Sequence, residues 1–211
     1  TITGYEKIPG LISDGLTDMT TVINDFLTAK GTYAYVNIPW GEYKIDGSIT
    51  PLVEQCIDFH GSKLIGDYTD DDYVIDISNP GVTIHNVRIY RKDGGEDVNC
   101  IHLNRPGSYR CQFRNLEFVY ADTAIYCDSY ENTFDQVEIR YSQTGVVNYG
   151  STNSYNNFDF GNTEGRDFAF IGGSALQMSN WCIQYAQPED STKHISIIDD
   201  CYNVHLNSWY L

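Results

Sequence analysis

Two stretches decide how this chain folds: Val82-Thr83-Ile84-His85-Asn86-Val87-Arg88-Ile89 and, one period later, Cys111-Gln112-Phe113-Arg114-Asn115-Leu116-Glu117-Phe118. Both read apolar-x-apolar-x-Asn-apolar-x-apolar. The same pattern recurs over 57–64, 133–139, 156–160, 180–183 and 203–206, with Gly61, Gln136, Asn157, Asn180 and Asn203 at the position of Asn86. Asn and Gly enter the left-handed backbone region most cheaply, so one such position per repeat marks a sharp bend between two short strands. Gln136 departs from the rule and predicts a weaker coil there. A further strand recurs between the bends over 74–77, 100–103, 124–127, 145–147, 168–171 and 195–198.

A repeat of roughly 21 to 29 residues with about three short strands signals a solenoid, because such strands cannot bury an apolar face alone and must stack coil on coil. Inward positions then become ladders, of which Val87, Leu116, Val137, Phe158, Trp181 and Val204 form one. A β-sandwich would need antiparallel hairpins with tight Asn-Gly or Asp-Gly turns, which are nearly absent, and propeller blades need a longer four-stranded repeat. The fold class expected is all-β: a parallel solenoid entered through one short helix.

That helix is predicted over 19–29, where Met19, Val22, Ile23, Phe26 and Leu27 share one face of a 3.6-residue period. Thr17 or Asp18 supplies the N-cap, and Lys30 followed by Gly31 the stop. Residues 33–38 are β-rich, and 39–43 read as a turn into another short strand. The division expected is an N-terminal cap over 1–50 and solenoid coils over 51–211. The Thr-Ile-Thr-Gly start carries no initiator Met and no signal-peptide profile, and Leu211 arrives in mid-repeat, so the chain is expected to be part of something longer.

Composition narrows the partners. Acidic residues outnumber basic ones 29 to 13 and the net charge is −16, which opposes binding to a nucleic-acid backbone. A polyanionic ligand would need a local basic patch, whereas a neutral or mildly acidic glycan needs none. Tyrosine is abundant, at 17 residues, and suits both sugar faces and subunit contacts, although strand and core packing is the commoner use. Cys56, Cys100, Cys111, Cys127, Cys182 and Cys201 show no zinc spacing and read as reduced, mostly buried small hydrophobes, with a disulfide left open by the even count. No stretch is long enough to span a bilayer, so membrane insertion is not expected.

Ser13-Asp14-Gly15-Leu16-Thr17-Asp18-Met19-Thr20-Thr21-Val22-Ile23, followed by Tyr35-Val36-Asn37-Ile38-Pro39-Trp40-Gly41-Glu42-Tyr43-Lys44-Ile45, resembles the opening of pectate-lyase-superfamily right-handed parallel β-helix domains. In that family an Asp-Gly-x-x-Asp-x-Thr turn precedes a capping helix, and a Val-x-Ile-Pro-x-Gly-x-Tyr strand begins the solenoid. Met19 stands where a second acidic residue is usual. The match covers about residues 10 to 50. The family includes bacteriophage tailspikes that cleave host capsule or lipopolysaccharide, microbial polysaccharide lyases and hydrolases, and non-catalytic fibre segments. The resemblance therefore implies a tailspike-like depolymerase of bacterial surface polysaccharide, a homotrimer, located in a virion tail or secreted. A non-catalytic receptor-binding or structural segment of a tail fibre, and a polysaccharide lyase, remain the alternatives.

If the bends are aligned, the residue two places later faces outward in every coil, giving the column Lys63, Arg88, Glu117, Glu138, Asp159, Cys182 and His205. Stacked carboxylates on adjacent rungs lie about 5 Å apart at the backbone and on alternate rungs about 10 Å, close to the spacings of retaining and inverting glycosidases respectively. Glu117, Glu138 and Asp159 are the candidate catalytic residues, paired as Glu117 with Glu138 or with Asp159. Arg88, Tyr90, Tyr120 and Tyr141 are candidate substrate contacts. An ordinary ladder of surface ion pairs is the competing reading of the same column. A second column of His60, His85, Arg114 and Asp135 contains the base and cation a lyase would need, though local turn hydrogen bonding is the simpler account. Asp67, Asp70, Asp71 and Asp72 share a loop that matches no EF-hand and reads as a solvated acidic turn. No phosphate loop or serine-hydrolase motif is present, and neither a metal nor a cofactor is expected.

Overall fold

The computed structural model describes residues 7–66, 72–93, 98–161, 166–170, 174–184, 195–197 and 205–210. In chain order the elements are α1 (Thr20–Lys30), β1 (Tyr35–Asn37), β2 (Glu42–Ile45), β3 (Cys56–Gly66), β4 (Tyr73–Ile77), β5 (Thr83–Arg91), β6 (Asn99–Leu103) and β7 (Gln112–Val119). They continue with β8 (Thr123–Cys127), β9 (Thr133–Arg140), β10 (Thr144–Asn148), β11 (Ser154–Gly161), β12 (Arg166–Phe170), β13 (Gln177–Gln184), β14 (Ile195–Ile197) and β15 (His205–Tyr210).

All pairings between these strands are parallel, and each strand pairs with the equivalent one in the next coil. One sheet runs β1-β3-β5-β7-β9-β11-β13-β15 with β2 also on β3, and the other runs β4-β6-β8-β10-β12-β14. This alternation is what a solenoid requires. Each long strand of the first sheet is broken at one bend, by Gly61, Asn86, Asn115, Gln136, Asn157 or Asn180, with φ between 54° and 78°, and in β3 His60 is left-handed as well. Six of the seven expected bends are therefore observed, Asn203 lying outside the described residues, and Gln136 adopts the same conformation as its Asn neighbours despite its poorer fit. With the bend dividing the long strand, each coil has the three short strands expected.

Further turning is done elsewhere. Tyr33, Glu54, Gly81, Arg110, Glu131, Thr152 and Ala175 all have positive φ and recur once per coil. All but Ala175 donate their N–H to the next coil, for example Glu54 N to Pro80 O (2.9 Å), Gly81 N to Tyr109 O (2.8 Å) and Glu131 N to Ser151 O (3.1 Å). Tyr120 and Tyr141 (φ 58° and 51°) form another corner after β7 and β9.

The core lies inside the coils. Val87, Leu116, Val137, Phe158 and Trp181 are each at most 2% exposed, as expected of the inward ladder. Phe113, Phe134 and Tyr155 stack on successive rungs at 4.5 and 5.2 Å between ring centroids. Burying such side chains contributes about 1.5–3 kcal/mol each. Cys100, Cys111 and Cys127 are buried free thiols, and Cys56 is a half-buried one; burial raises the thiol pKa of all four, to about 12 at Cys111.

The helix packs Met19, Ile23, Phe26 and Leu27 onto the first coil, where they close the core at this end. It starts at Thr20, not 19, and Met19 takes the N-cap position without a side-chain cap. Asp18, one of the two expected caps, lies one residue before the observed N-cap and accepts from Thr20 N (3.0 Å) and Thr20 Oγ1 (2.6 Å). Gly31 ends the helix, its N–H reaching Leu27 O and Thr28 O.

Candidate functional site

Beyond the Asn bend, each long strand runs on for a short segment whose inward residues are Val87, Leu116, Val137 and Phe158. The register of the outward residues is continuous: Lys63 lies beside Arg88, Arg88 beside Glu117, Glu117 beside Glu138, Glu138 beside Asp159, and Asp159 beside Cys182. Three carboxylates thus occupy successive rungs of one face. His205 is not in this column. Strand β15 sets Tyr210 against Cys182 and His205 against Gln177, so Ser208 falls opposite the bend residue Asn180, five places from the expected Asn203. The alignment by Asn fails in this coil because the register, not the residue type, fixes the bend. Asn203, Val204 and Cys201 lie outside the described residues, as do Asp67, Asp70 and Asp71 of the acidic loop.

A second outward column, two residues further along each strand, runs Ile65, Tyr90, Val119, Arg140 and Gly161. Between it and the Asn bends lies a groove of about 310 Å³, lined by Asn86, Asn115, Gln136 and Asn157 on one side and by Arg88, Glu117, Glu138 and Asp159 on the other. The three acids are engaged to different degrees. Arg88 Nε is 3.1 Å from Glu117 Oε2, and Tyr90 donates its hydroxyl to Glu117 Oε1 at 2.5 Å. Burial, then that hydrogen bond, push the Tyr90 phenol well above its ordinary pKa, so it remains a proton donor. Glu138 pairs with Arg140. Asp159 differs from both, because its Oδ1 is buried and accepts no hydrogen bond among the described residues. A buried oxygen without a donor is costly, so Asp159 is the least well satisfied of the three acids.

Arg140 was not anticipated as part of this face. Its signal was available, since it follows Glu138 by two residues just as Tyr90 follows Arg88. Tyr120 and Tyr141 lie at the rim, stacked on each other at 5.3 Å. The Arg91 guanidinium lies 4.3 Å from the Tyr120 ring centroid, so Tyr120 is packed between Arg91 and Tyr141.

In the second column His85, Arg114 and Asp135 are in register, but His60 is displaced and Asp58 takes its place beside His85. Strand β3 carries two additional residues between Asp58 and Ser62, and both His60 (φ 52°) and Gly61 are left-handed there. His60 Nε2 sits instead 2.8 Å from Asn37 Oδ1. Arg114 is held by Gln136 Oε1 at 3.1 Å and Asp135 Oδ2 at 3.6 Å. Among the described residues no group of three or more His, Cys, Asp or Glu is arranged to hold a metal ion, and no helix is long and apolar enough to cross a membrane.

No family model and no curated protein matches the sequence. Solved structures do. Over 95% of its length the chain superposes on 92% of a provisionally assigned glycosyl hydrolase from Parabacteroides merdae, with a TM-score of 0.61 and 15% identity. It also matches the catalytic domain of a GH87 α-1,3-glucanase in complex with nigerose (TM-score 0.55, 17% identity, 86% of this chain and 38% of that one). The Acinetobacter baumannii phage AM24 tailspike gives a TM-score of 0.54 at 7% identity, over 94% of this chain and 44% of that one. The fold is the right-handed parallel β-helix. In a β-helix of this kind the acidic face is an outer wall of the first sheet, and the groove beside it runs along the helix axis. At 7 to 17% identity the likeness is one of fold.

Proposed function

We propose that this β-helix binds a bacterial surface polysaccharide along the groove and hydrolyses its glycosidic bonds with carboxylates of the outward acidic column. The observation that supports this reading is Asp159, which lines the groove and has one carboxylate oxygen, Oδ1, buried without a donor among the described residues, one rung from Glu138 and two from Glu117. Glu117 has both oxygens engaged, by Arg88 and Tyr90, and suits a positioning role. The reacting pair is then Asp159 and Glu138 on adjacent rungs, about 5 Å apart at the backbone, near enough for their carboxyl groups to reach the roughly 5 Å separation that a retaining mechanism uses. Asp159 donates its proton to the leaving oxygen while Glu138 attacks the anomeric carbon. Water then cleaves the glycosyl ester, and Asp159 takes up its proton. The assembly proposed is a homotrimer in a virion tail or in secreted form, as in tailspikes.

The pairs Arg88–Glu117 and Arg140–Glu138 favour a second reading, in which the column is a surface ion-pair ladder and the chain a non-catalytic recognition segment of a tail fibre. Reducing-end release from purified capsular polysaccharides, O-antigens and α-1,3-glucan separates the two. Asp159→Asn and Glu138→Gln are each expected to lose roughly 10²–10⁴-fold in rate with binding retained, and Glu117→Gln to lose less. Binding by the wild type with no product from any glycan would instead establish the recognition segment, and an unsaturated product absorbing in the ultraviolet would establish a lyase.

A further inference from the structure

Trp40 is 73% exposed and makes no ring contact with any described residue, an expensive placement for the largest apolar side chain. The turn that presents it is held firmly. Tyr43 and Ser62 hydroxyls both donate to Pro39 O (2.6 and 3.0 Å), Gly41 N donates to Ser62 Oγ (3.2 Å), and Lys63 N donates to Gly41 O (2.9 Å). Gly41 is also packed tightly, since a Cβ there would lie 2.6 Å from Ser13 Cβ and 2.8 Å from the Tyr43 ring. Four hydrogen bonds and a close-packed glycine thus fix a turn whose indole points into solvent.

Its position is equally specific. Glu42 pairs with Lys63, so continuing that register back by two residues sets the Trp40 backbone beside Gly61, the first member of the bend ladder that lines the groove. Trp40 stands at the N-terminal end of that ladder. Four and five rungs separate it from Glu138 and Asp159, roughly 19–24 Å at the strand spacing. An aromatic face pre-ordered on a rigid turn binds at small entropic cost, and a pyranose ring offers the matching apolar C–H face.

We infer that Trp40 is a remote sugar-stacking subsite, which holds a polysaccharide parallel to the helix axis with its far units several residues from the reacting bond. This rests on the glycan reading of the groove, and the experiment separates the two. Acid-fragmented, size-fractionated oligosaccharides of a capsular polysaccharide that the wild type retains are titrated calorimetrically into Asp159→Asn, alone and combined with Trp40→Ala or Trp40→Phe. Sedimentation velocity is run on the same proteins.

Trp40→Ala is expected to weaken binding about tenfold for fragments long enough to reach from the acidic face to Trp40. Shorter fragments should bind unchanged, and Trp40→Phe should keep most of the affinity. Equal affinity with and without the indole at every length overturns the subsite while leaving the groove intact. A uniform loss at all lengths, or a change of oligomeric state on Trp40→Ala, overturns it by assigning the residue to folding or to a contact between copies. Retention of no glycan by the wild type removes the groove reading and the subsite together.

Discussion

Two asparagine ladders run along this β-helix, one outside and one inside, and the same residue type does different work in each. Outside, Asn86, Asn115, Asn157 and Asn180 are themselves the left-handed residues, and their amides bond up the ladder where they can: Asn115 to Asn86 at 2.7 Å and Asn180 to Asn157 at 3.0 Å. Inside, the left-handed residues are Glu131 and Thr152, and the asparagines come one position later, as Asn132 and Asn153, both fully buried. Asn132 Oδ1 accepts from Cys111 N at 3.0 Å, and Asn153 Oδ1 from Asn132 N at 2.9 Å. The outer ladder is selected for backbone conformation, with water as an alternative partner. The inner ladder is selected for its amides, because a buried backbone donor has no alternative.

The largest expected effect follows from that difference. Asn153 Nδ2 also donates to Ser129 O and Asn148 Oδ1, both at 2.9 Å, and Asn148 Oδ1 in turn accepts from Tyr155 OH at 2.8 Å. Asn153→Ala would leave several of these groups unpaired in the core, costing roughly 3–5 kcal/mol, read as a fall in the urea midpoint. Asn153→Gly should be at least as harmful. On the outer ladder the two substitutions should separate: Asn115→Ala should cost about 1 kcal/mol for the left-handed backbone and the lost bond to Asn86, and Asn115→Gly close to nothing. Equal losses for Ala and Gly at Asn115 would mean that the side-chain ladder, not the backbone, sets its stability.

The contrast also explains what could be read from the sequence. The outer bends were legible because Asn and Gly are the cheap left-handed residues, and once they are aligned the acidic column follows by counting two places. The other repeated bend was hidden, since Tyr33, Glu54, Arg110, Glu131, Thr152 and Ala175 share no chemistry; in the first five a backbone bond to the next coil sustains a conformation their side chains do not favour. Counting failed where the coil length changed locally, at the two additional residues of β3 that displace His60 and in the coil before β15 that removes His205. The burial that singles out Asp159 depends on neighbours 21 residues away along the chain and has no local signature, whereas the pairing of Arg140 with Glu138, two residues before it, was within reach of the same counting.

Gln136 supplies the smallest and sharpest test. It holds φ 58° among asparagines, yet its longer side chain also accepts from Arg114 Nε at 3.1 Å, a half-exposed contact of the kind worth a few tenths of a kcal/mol. Replacing it with Asn relieves the backbone while giving up that contact, so Gln136→Asn should stabilise by about 0.5 kcal/mol. Gln136→Gly should do as well, and the pair with Arg114→Ala should show little coupling in a double-mutant cycle. A loss of more than about 1 kcal/mol in Gln136→Asn would reverse the ranking. The Arg114 bond would then be what holds this coil, and conformational preference could no longer account for the outer ladder at this rung.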